Sequence, residues 1–236
     1  MSSDICLNFL LSRLSPSCKA RLGSLECVRH GVTKRMETPG FLSYTRSGVV
    51  PYLTLDLAKN LPFDALAFTC GPLNGLIQAQ STLESNVLDK TDGIRDMIGG
   101  NENNKSVRPH FFLSTVADPV NNGGYIPGLS RSDAVSVFCV GGKVMVSLDD
   151  QFKVLNETKP DAFQIISDID TEKGCPRKRL EKSFSRSVKF LNDTKDRYER
   201  CGKSIGLFAT LVGGYSTDMR QKFATEVKQI ESLCCG

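Results

Sequence analysis

A chain of 236 residues with 40% hydrophobic and 24% charged side chains is long enough to bury a sizeable core, which excludes an intrinsically disordered protein. The net charge of +4 permits a nucleic-acid partner, but a dedicated duplex-binding protein usually carries a denser basic patch. The nine cysteines form no C-x-x-C pair and the histidines, His30 and His110, stand alone, so we expect reduced thiols and no zinc site within the chain.

The first hundred residues contain short apolar runs separated by turn-forming residues. The N-terminal apolar stretch is interrupted by Arg13 and is too short to span a membrane, so we predict a strand there, with a weak mitochondrial targeting signal as the alternative. The stretch "METPGFLSYTRSGVVPYL" predicts two strands joined by a Gly/Pro turn. A linker or lid is possible at Gly99–Lys105.

The second half begins with a predicted hairpin. In "AVSVFCVGGKVMVSL", two alternating strands flank Gly141 and Gly142, a pair that is typical of a two-residue loop. Ser147 and Asp150 have the spacing of a capping box. They predict that the helix "LDDQFKVLNET" follows the hairpin and ends before Pro160.

Strands and helices then alternate. A buried strand, "DAFQIISD", precedes the long helix "RKRLEKSFSRSVKFLNDTKDRYER". The strand "SIGLFATLV" then leads through Gly213 and Gly214 into a last helix, which Ser216 or Thr217 can cap. This alternation predicts a parallel sheet covered by helices, an α/β fold without a phosphate-binding glycine loop.

Two strand ends are candidates for a ligand site, because ligands of parallel α/β folds meet the carboxyl ends of the strands. Asp168 follows one strand, and a carboxylate can accept two N–H donors from a planar base. Gly213 and Gly214 follow the next strand and would let a flat ring approach the backbone. Alternatively, Asp168 is a capping or turn residue, and the two glycines only form a tight turn.

The stretches "VSVFCVGGKVMVSLDDQFKVLNETKPDAFQIISDID", "SFSRSVKFLN" and "LFATLVGG" resemble the tRNA-guanine transglycosylase family. Upstream, "CKARLGSL" and "ETPGFLSYTRSGVVPYLTLDL" are more similar to the accessory, non-catalytic subunits of that family than to its catalytic subunits. The resemblance runs from about Cys18 to the end of the chain, and it is specific over residues 39–55 and 135–214.

The resemblance implies a TIM-like (β/α)8 barrel with a zinc-binding insertion, one zinc ion per subunit. We therefore predict the N-terminal part of such a barrel, left incomplete, in one domain overall. Residues 1–105 would supply a β-rich segment and the first barrel elements, and residues 106–236 the hairpin and βα units. The implied enzyme is a heterodimer with a catalytic subunit, which exchanges guanine for queuine at the wobble position of tRNAs with GUN anticodons. The implied location is the cytoplasm, with possible peripheral association with the mitochondrial outer membrane.

Several positions depart from the catalytic pattern. Only Asp168 matches the D-E-C stretch of the catalysts, whose aspartate reads the base, because Ile169 and Asp170 follow it here. Val212 replaces a glutamine that would donate a hydrogen bond to the base. If "NNGGYI" corresponds to the acid–base loop, Asn121 replaces its aspartate, and a neutral amide cannot carry a proton. We interpret Asp168, Gly213 and Gly214 as the relic of a base pocket.

The family's nucleophile and its zinc ligands belong to a second half that we do not find in this sequence, so we predict no catalytic residue, no metal ligand and a truncated chain. A non-catalytic subunit is the favoured function. A regulatory fragment that binds the catalytic subunit without supporting activity is the alternative, and an enzyme that acts alone is disfavoured.

A basic stretch is the candidate contact with tRNA phosphates. It comprises Arg177, Lys178 and Arg179, followed by Lys182, Arg186 and Lys189. The alternative is a solvated helix face on which Glu181 is a local partner.

Overall fold

The computed structural model describes residues 6–29, 32–45, 50–54, 57, 67–72, 111–116, 130–139, 142–169, 171–200 and 205–234. The strands are β1 (Cys6–Leu14), β2 (Arg21–Arg29), β3 (Val32–Thr38), β4 (Ala67–Pro72), β5 (Phe111–Thr115), β6 (Ala134–Cys139), β7 (Gly142–Ser147), β8 (Ala162–Gln164) and β9 (Gly206–Phe208). The helices of this described part are α1 (Leu148–Thr158), α2 (Arg177–Arg200) and α3 (Thr217–Cys234). The predictions at Gly99–Lys105, Asn121, Asp170 and Gly236 lie outside these residues.

The central sheet is parallel, as the alternation of strands and helices predicts. Its strand order is β4-β5-β8-β9, so each strand lies beside the next strand of the sheet along the chain. Helix α2 connects β8 to β9, and α3 follows β9. The described strands form an open sheet. Strands β8 and β9 are shorter than the apolar runs around them. The ladder between them covers three residue pairs, and the ladder between β5 and β8 covers two.

Asp161, at the start of β8, joins three neighbouring strands. Its buried carboxylate accepts a hydrogen bond from the backbone N–H of Phe112 at 2.8 Å. Its backbone carbonyl accepts one from Gly206 at 2.8 Å. A buried carboxylate needs such donors to offset its lost hydration, so this residue fixes the register of β5, β8 and β9.

The predicted hairpin and the helix after it are confirmed. Strands β6 and β7 pair antiparallel, with Val135 opposite Val146 in the core. Gly142 pairs with Cys139 as the first residue of β7, so the prediction that Gly142 belongs to the loop is wrong. Ser147 and Asp150 form the predicted capping box, and Lys159 ends α1 in the left-handed conformation before Pro160.

Helices α2 and α3 cover one face of the sheet through apolar stripes that the helical period predicts. Leu191 of α2 and Phe223 of α3 are buried in one cluster with Phe163 of β8. Phe184 meets Phe223 edge to face, with ring centroids 5.9 Å apart. These contacts place the N-terminal ends of both helices at the carboxyl edge of the sheet.

The N-terminal residues form a separate antiparallel sheet of order β1-β2-β3, which confirms the predicted N-terminal strand. Cys27 of β2 packs against Phe111 and Ala162, so this sheet lies against the parallel one. The turn between β1 and β2 closes with a hydrogen bond from the Ser15 N–H to the Ala20 carbonyl at 2.9 Å. Hydrogen bonding with the Ser15 side chain, and then with the Ala20 backbone, lowers the pKa of the exposed Cys18 thiol in that turn.

The capping box of α1 predicts a measurable loss of stability on its removal. Ser147→Ala leaves the Asp150 N–H without its side-chain acceptor, and we expect a cost of about 1 kcal/mol in the free energy of unfolding. Urea denaturation followed by circular dichroism measures it. Ser185→Ala is the matched control, because that exposed hydroxyl bonds only the carbonyl one turn back; an equal loss in both variants would contradict the assignment.

Candidate functional site

Asp168 lies at the carboxyl edge of the parallel sheet, four residues beyond the end of β8. Its side chain is fully buried. Carboxylates are almost never buried without partners, because the lost hydration is costly. The groups that surround this carboxylate therefore determine what the strand end can do.

Both oxygens of Asp168 are bound by arginines of α2. The Arg179 guanidinium donates to Oδ1 at 2.5 Å and to Oδ2 at 3.0 Å, which makes a bidentate pair. Arg186 donates to Oδ2 at 2.9 Å. Only 19% of the Arg179 side chain and 14% of the Arg186 side chain is exposed. These charge-assisted bonds form away from bulk water, where they are stronger than on an open surface.

The backbone of Asp168 is bound by the same helix. Its N–H donates to the Ser187 hydroxyl at 2.9 Å, and its carbonyl accepts from the Ser183 hydroxyl. Positions 179, 183, 186 and 187 follow the helical period, so all four side chains share one face of α2. We call Asp168 with these four residues the aspartate clamp. The sequence already contained this signal: arginine and serine residues at helical spacing follow an aspartate at the end of a strand.

The clamp carries one carboxylate and two guanidinium groups, so its net charge is positive. Helix α2 has no acidic residue in its first turn, and the N-terminus of a helix adds positive potential there. A planar base that used the Asp168 carboxylate would have to displace an arginine from a buried ion pair. The arrangement therefore disfavours a base on Asp168.

Gly213 and Gly214 form the turn that leads from β9 into α3. Both have a positive φ angle, 126° and 53°, in a region that residues with a side chain rarely adopt. A Cβ at Gly213 would lie 2.7 Å from the backbone nitrogen of Arg220, and one at Gly214 would lie 2.8 Å from Thr171 Oγ1. Protein atoms thus fill the space that a side chain would take. Ser216 caps the helix, accepting from the Met219 N–H at 3.4 Å.

The predicted basic stretch divides into two parts. Arg179 turns inward to the clamp, whereas Arg177 is 90% exposed and pairs with Glu181 at 2.8 Å. Lys178 is also exposed. An exposed ion pair of this kind contributes little to stability, so Arg177 can exchange Glu181 for another anion. Whether Arg177, Lys178 and Arg179 contact tRNA stays a prediction.

The zinc ion that the resemblance implies would need several His, Cys, Asp or Glu side chains close together. Among the residues that the structure describes, no three His, Cys, Asp or Glu side chains lie close enough to hold a metal ion. The described residues therefore do not fit a zinc site, and the prediction of zinc in the longer family members stays a prediction. None of the described helices has the length and apolar character needed to cross a bilayer.

These features define an α/β protein in which a strand-terminal carboxylate, at the edge where ligands bind parallel sheets, is held by the protein's own arginines. The sequence model of queuine tRNA-ribosyltransferase matches residues 17–234. The chain therefore belongs to the queuine tRNA-ribosyltransferase family, and the resemblance found in its motifs is confirmed.

The curated relatives point to one branch of the family. Queuine tRNA-ribosyltransferase accessory subunit 2 of Anopheles gambiae is 23% identical over 98% of this chain and 50% of its own length. The protein of the same name from Trichoplax adhaerens is 29% identical over 90% of this chain and 53% of its own length. The one from Xenopus tropicalis is 30% identical over 74% and 39%, respectively. The chain thus spans about half the length of the curated relatives it matches.

The clamp predicts that Asp168 is required for stability. Asp168→Asn keeps the shape but leaves two partly buried guanidinium groups without their counter-ion, so we expect a loss of about 3 kcal/mol in the free energy of unfolding. Asp149→Asn is the control, because Asp149 is 80% exposed in its pair with Arg197, and its loss should be much smaller. Chemical denaturation measures both, and equal losses would show that the clamp is not a stabilising unit.

Proposed function

We propose that this chain is a non-catalytic subunit of the heterodimeric enzyme that exchanges guanine for queuine at the wobble position of tRNAs with GUN anticodons. Its catalytic partner would supply the nucleophile and the base site. The names of the relatives support the accessory role. Zinc in the longer family members, a cytoplasmic location and a peripheral association with the mitochondrial outer membrane belong to the same proposal.

The observation that carries this proposal is the aspartate clamp. The position that matches the base-reading aspartate of the catalysts is bound at both oxygens by Arg179 and Arg186. Val212, at the position of the base-binding glutamine, is buried in the core cluster under α2 and α3. Gly213 and Gly214 form a turn, and protein atoms fill the space beside them. Such a strand end holds α2 and α3 in place and does not bind a reacting base. This role fits the interpretation of these residues as the relic of a base pocket.

We also propose the (β/α)8 barrel that the resemblance implies, and the order of the sheet supports it. Four parallel strands that follow the chain order, with helices after β8 and β9, match consecutive βα units of a (β/α)8 barrel. The carboxyl edge of these strands would then be the face that a barrel enzyme turns toward its substrate. Exposed side chains at that edge are the candidates for tRNA contact.

The subunit role predicts guanine exchange only in the presence of a catalytic partner. We expect radiolabelled guanine to enter tRNA when this chain is co-expressed with a catalytic subunit of the family, and not when this chain is assayed alone. The catalytic subunit alone gives the baseline. Asp168→Asn should act on the pair only through its stability, because the aspartate reads no base in this proposal.

Three other results would count against the proposal. Exchange by this chain alone would assign it catalysis. A stable pair that remains silent would favour the regulatory fragment, which binds the catalytic subunit without supporting activity. If the two chains do not co-purify, the subunit role of this chain is wrong.

Contact with tRNA is proposed at the first turn of α2. Arg177 and Lys178 are exposed there, and the two guanidinium groups of the clamp add positive charge behind them. Arg179, the third residue of the predicted set, already binds Asp168, so the direct contact rests on the other two. Each phosphate contact of this kind makes binding weaker as salt rises.

Reversing the two exposed charges tests this contact. Arg177→Glu with Lys178→Glu should weaken tRNA retention by the heterodimer and lower the slope of log affinity against log salt by about 1 to 2. The control is Lys222→Glu with Lys228→Glu, an equal change of charge on the exposed side of α3. Unchanged retention at low salt, or an equal loss in the control, would remove the contact from the proposal.

A further inference from the structure

The loop between β9 and α3 exposes two large apolar side chains at the carboxyl edge of the parallel sheet. Leu211 is 54% exposed and Tyr215 is 71% exposed. Single exposed leucines are common on protein surfaces and need no explanation. An exposed aromatic ring differs from them, because its flat face is an apolar area that a second flat ring can cover. Tyr215 is therefore the side chain of this loop that is suited to a contact with another ring.

The backbone holds Tyr215 in its exposed position. Tyr215 is the third residue of the turn formed by residues 213–216, which a hydrogen bond from the Ser216 N–H to the Gly213 carbonyl closes at 3.0 Å. The Ser216 carbonyl in turn accepts from the Arg220 N–H at 3.1 Å, so the turn is joined to the first turn of α3. A ring on a fixed turn loses little conformational freedom when it binds a partner, and this preorganisation favours binding.

The same turn lies against the first turn of α2. A Cβ at Gly214 would lie 3.2 Å from the Leu180 Cδ2 atom, so the backbone just before Tyr215 packs on the start of that helix. Arg177 and Lys178 precede Leu180 within one helical turn, and both are exposed. The aromatic ring and two basic side chains thus belong to one stretch of the carboxyl edge.

Basic side chains outnumber acidic ones in the first turns of the two helices. The first turn of α2 contains no acidic residue, and Glu181, which follows it, is bound to Arg177 at 2.8 Å. In the first turn of α3, the exposed Asp218 and Arg220 are of opposite sign. A phosphate chain is therefore attracted only moderately, and a further contact has to supply the rest of the binding.

An unpaired RNA base fits this combination of ring and charge. Proteins that recognise RNA loops stack unpaired bases on aromatic side chains, and basic side chains bind the neighbouring phosphates. A base inside a duplex has both of its faces covered by neighbouring bases. A ring on this edge would therefore distinguish a loop from a duplex, which phosphate contacts alone do not do.

We propose that Tyr215 stacks on an unpaired base of tRNA whose neighbouring phosphates lie against Arg177 and Lys178. The inference rests on the tRNA contact proposed above and adds the side chain that would select a loop. The contact tolerates different bases, because every base has a flat face.

A single-tryptophan reporter tests the stacking, because the chain contains no tryptophan. Tyr215→Trp keeps an aromatic ring in the turn, and a synthetic anticodon stem-loop RNA with a GUN anticodon should quench its emission. A fully paired RNA duplex of equal length should bind through its phosphates without quenching.

Tyr52→Trp is the matched control for the reporter. Tyr52 is also fully exposed, and it is the third residue of another hydrogen-bonded turn, which the Leu53 N–H and the Val50 carbonyl close at 3.2 Å. Its emission should not change with either RNA.

Affinities measured at several salt concentrations separate stacking from charge. Tyr215→Ala should weaken binding of the stem-loop by about tenfold, the size of one stacked base, and should leave the slope of log affinity against log salt unchanged. Tyr215→Phe should bind as the parent chain does, because the ring remains. Arg177→Glu with Lys178→Glu should instead change the slope, and Tyr52→Ala should change neither quantity.

The proposal is overturned if the stem-loop leaves the Tyr215→Trp emission unchanged, if the duplex quenches it equally, or if Tyr52→Ala loses as much affinity as Tyr215→Ala. A change of emission on addition of the catalytic subunit, without one on addition of RNA, would assign Tyr215 to a protein contact and would also overturn it.

The outcome can be told apart from failure of the subunit role. The RNA measurements use this chain alone, so they stand even if no catalytic subunit co-purifies with it. Guanine exchange by the pair, together with unchanged stem-loop binding by Tyr215→Ala, would remove the stacking contact alone.

Discussion

The buried ion pair between Asp168 and two arginines of α2 is the interaction on which the second half of the described structure depends. A fully buried carboxylate needs hydrogen-bond donors around it. Both arginines that donate to the Asp168 carboxylate belong to α2. The clamp therefore fixes the start of α2 against the end of β8. Because α2 leads into β9 and α3, the same contact positions the elements that follow.

The clamp also links the family resemblance to the function. The family resemblance implies that the catalysts use an aspartate at this position to read a base, whereas in this chain two guanidinium groups already bind the carboxylate. Displacing a guanidinium would uncover a buried positive charge, which is costly unless a second anion replaces Asp168. A strand-terminal aspartate can thus hold a helix in place, a role different from the base reading that the resemblance implies.

Local patterns were sufficient to predict a large part of the fold. The capping box at Ser147, the hairpin before it and the apolar stripes of α2 and α3 follow from spacing, because they depend on neighbours within one or two turns of chain. Strands β4 and β5 were not predicted, because a short apolar run does not indicate which distant strand it pairs with. The sequence analysis missed the partners of Asp168 because it grouped Arg179 and Arg186 with solvent-exposed basic side chains. Their spacing relative to Ser183 and Ser187 nevertheless places all four side chains on one face of α2, which points toward the sheet.

The most direct test of the aspartate clamp is a crystal structure of this chain with the catalytic subunit proposed as its partner, in crystals soaked with guanine. We expect that Arg179 and Arg186 remain on the Asp168 carboxylate and that guanine occupies only the catalytic subunit. Guanine hydrogen-bonded to Asp168, with either arginine displaced, would contradict it. The strand end would then be a working base site, and the chain would have to be reconsidered as a second catalytic centre.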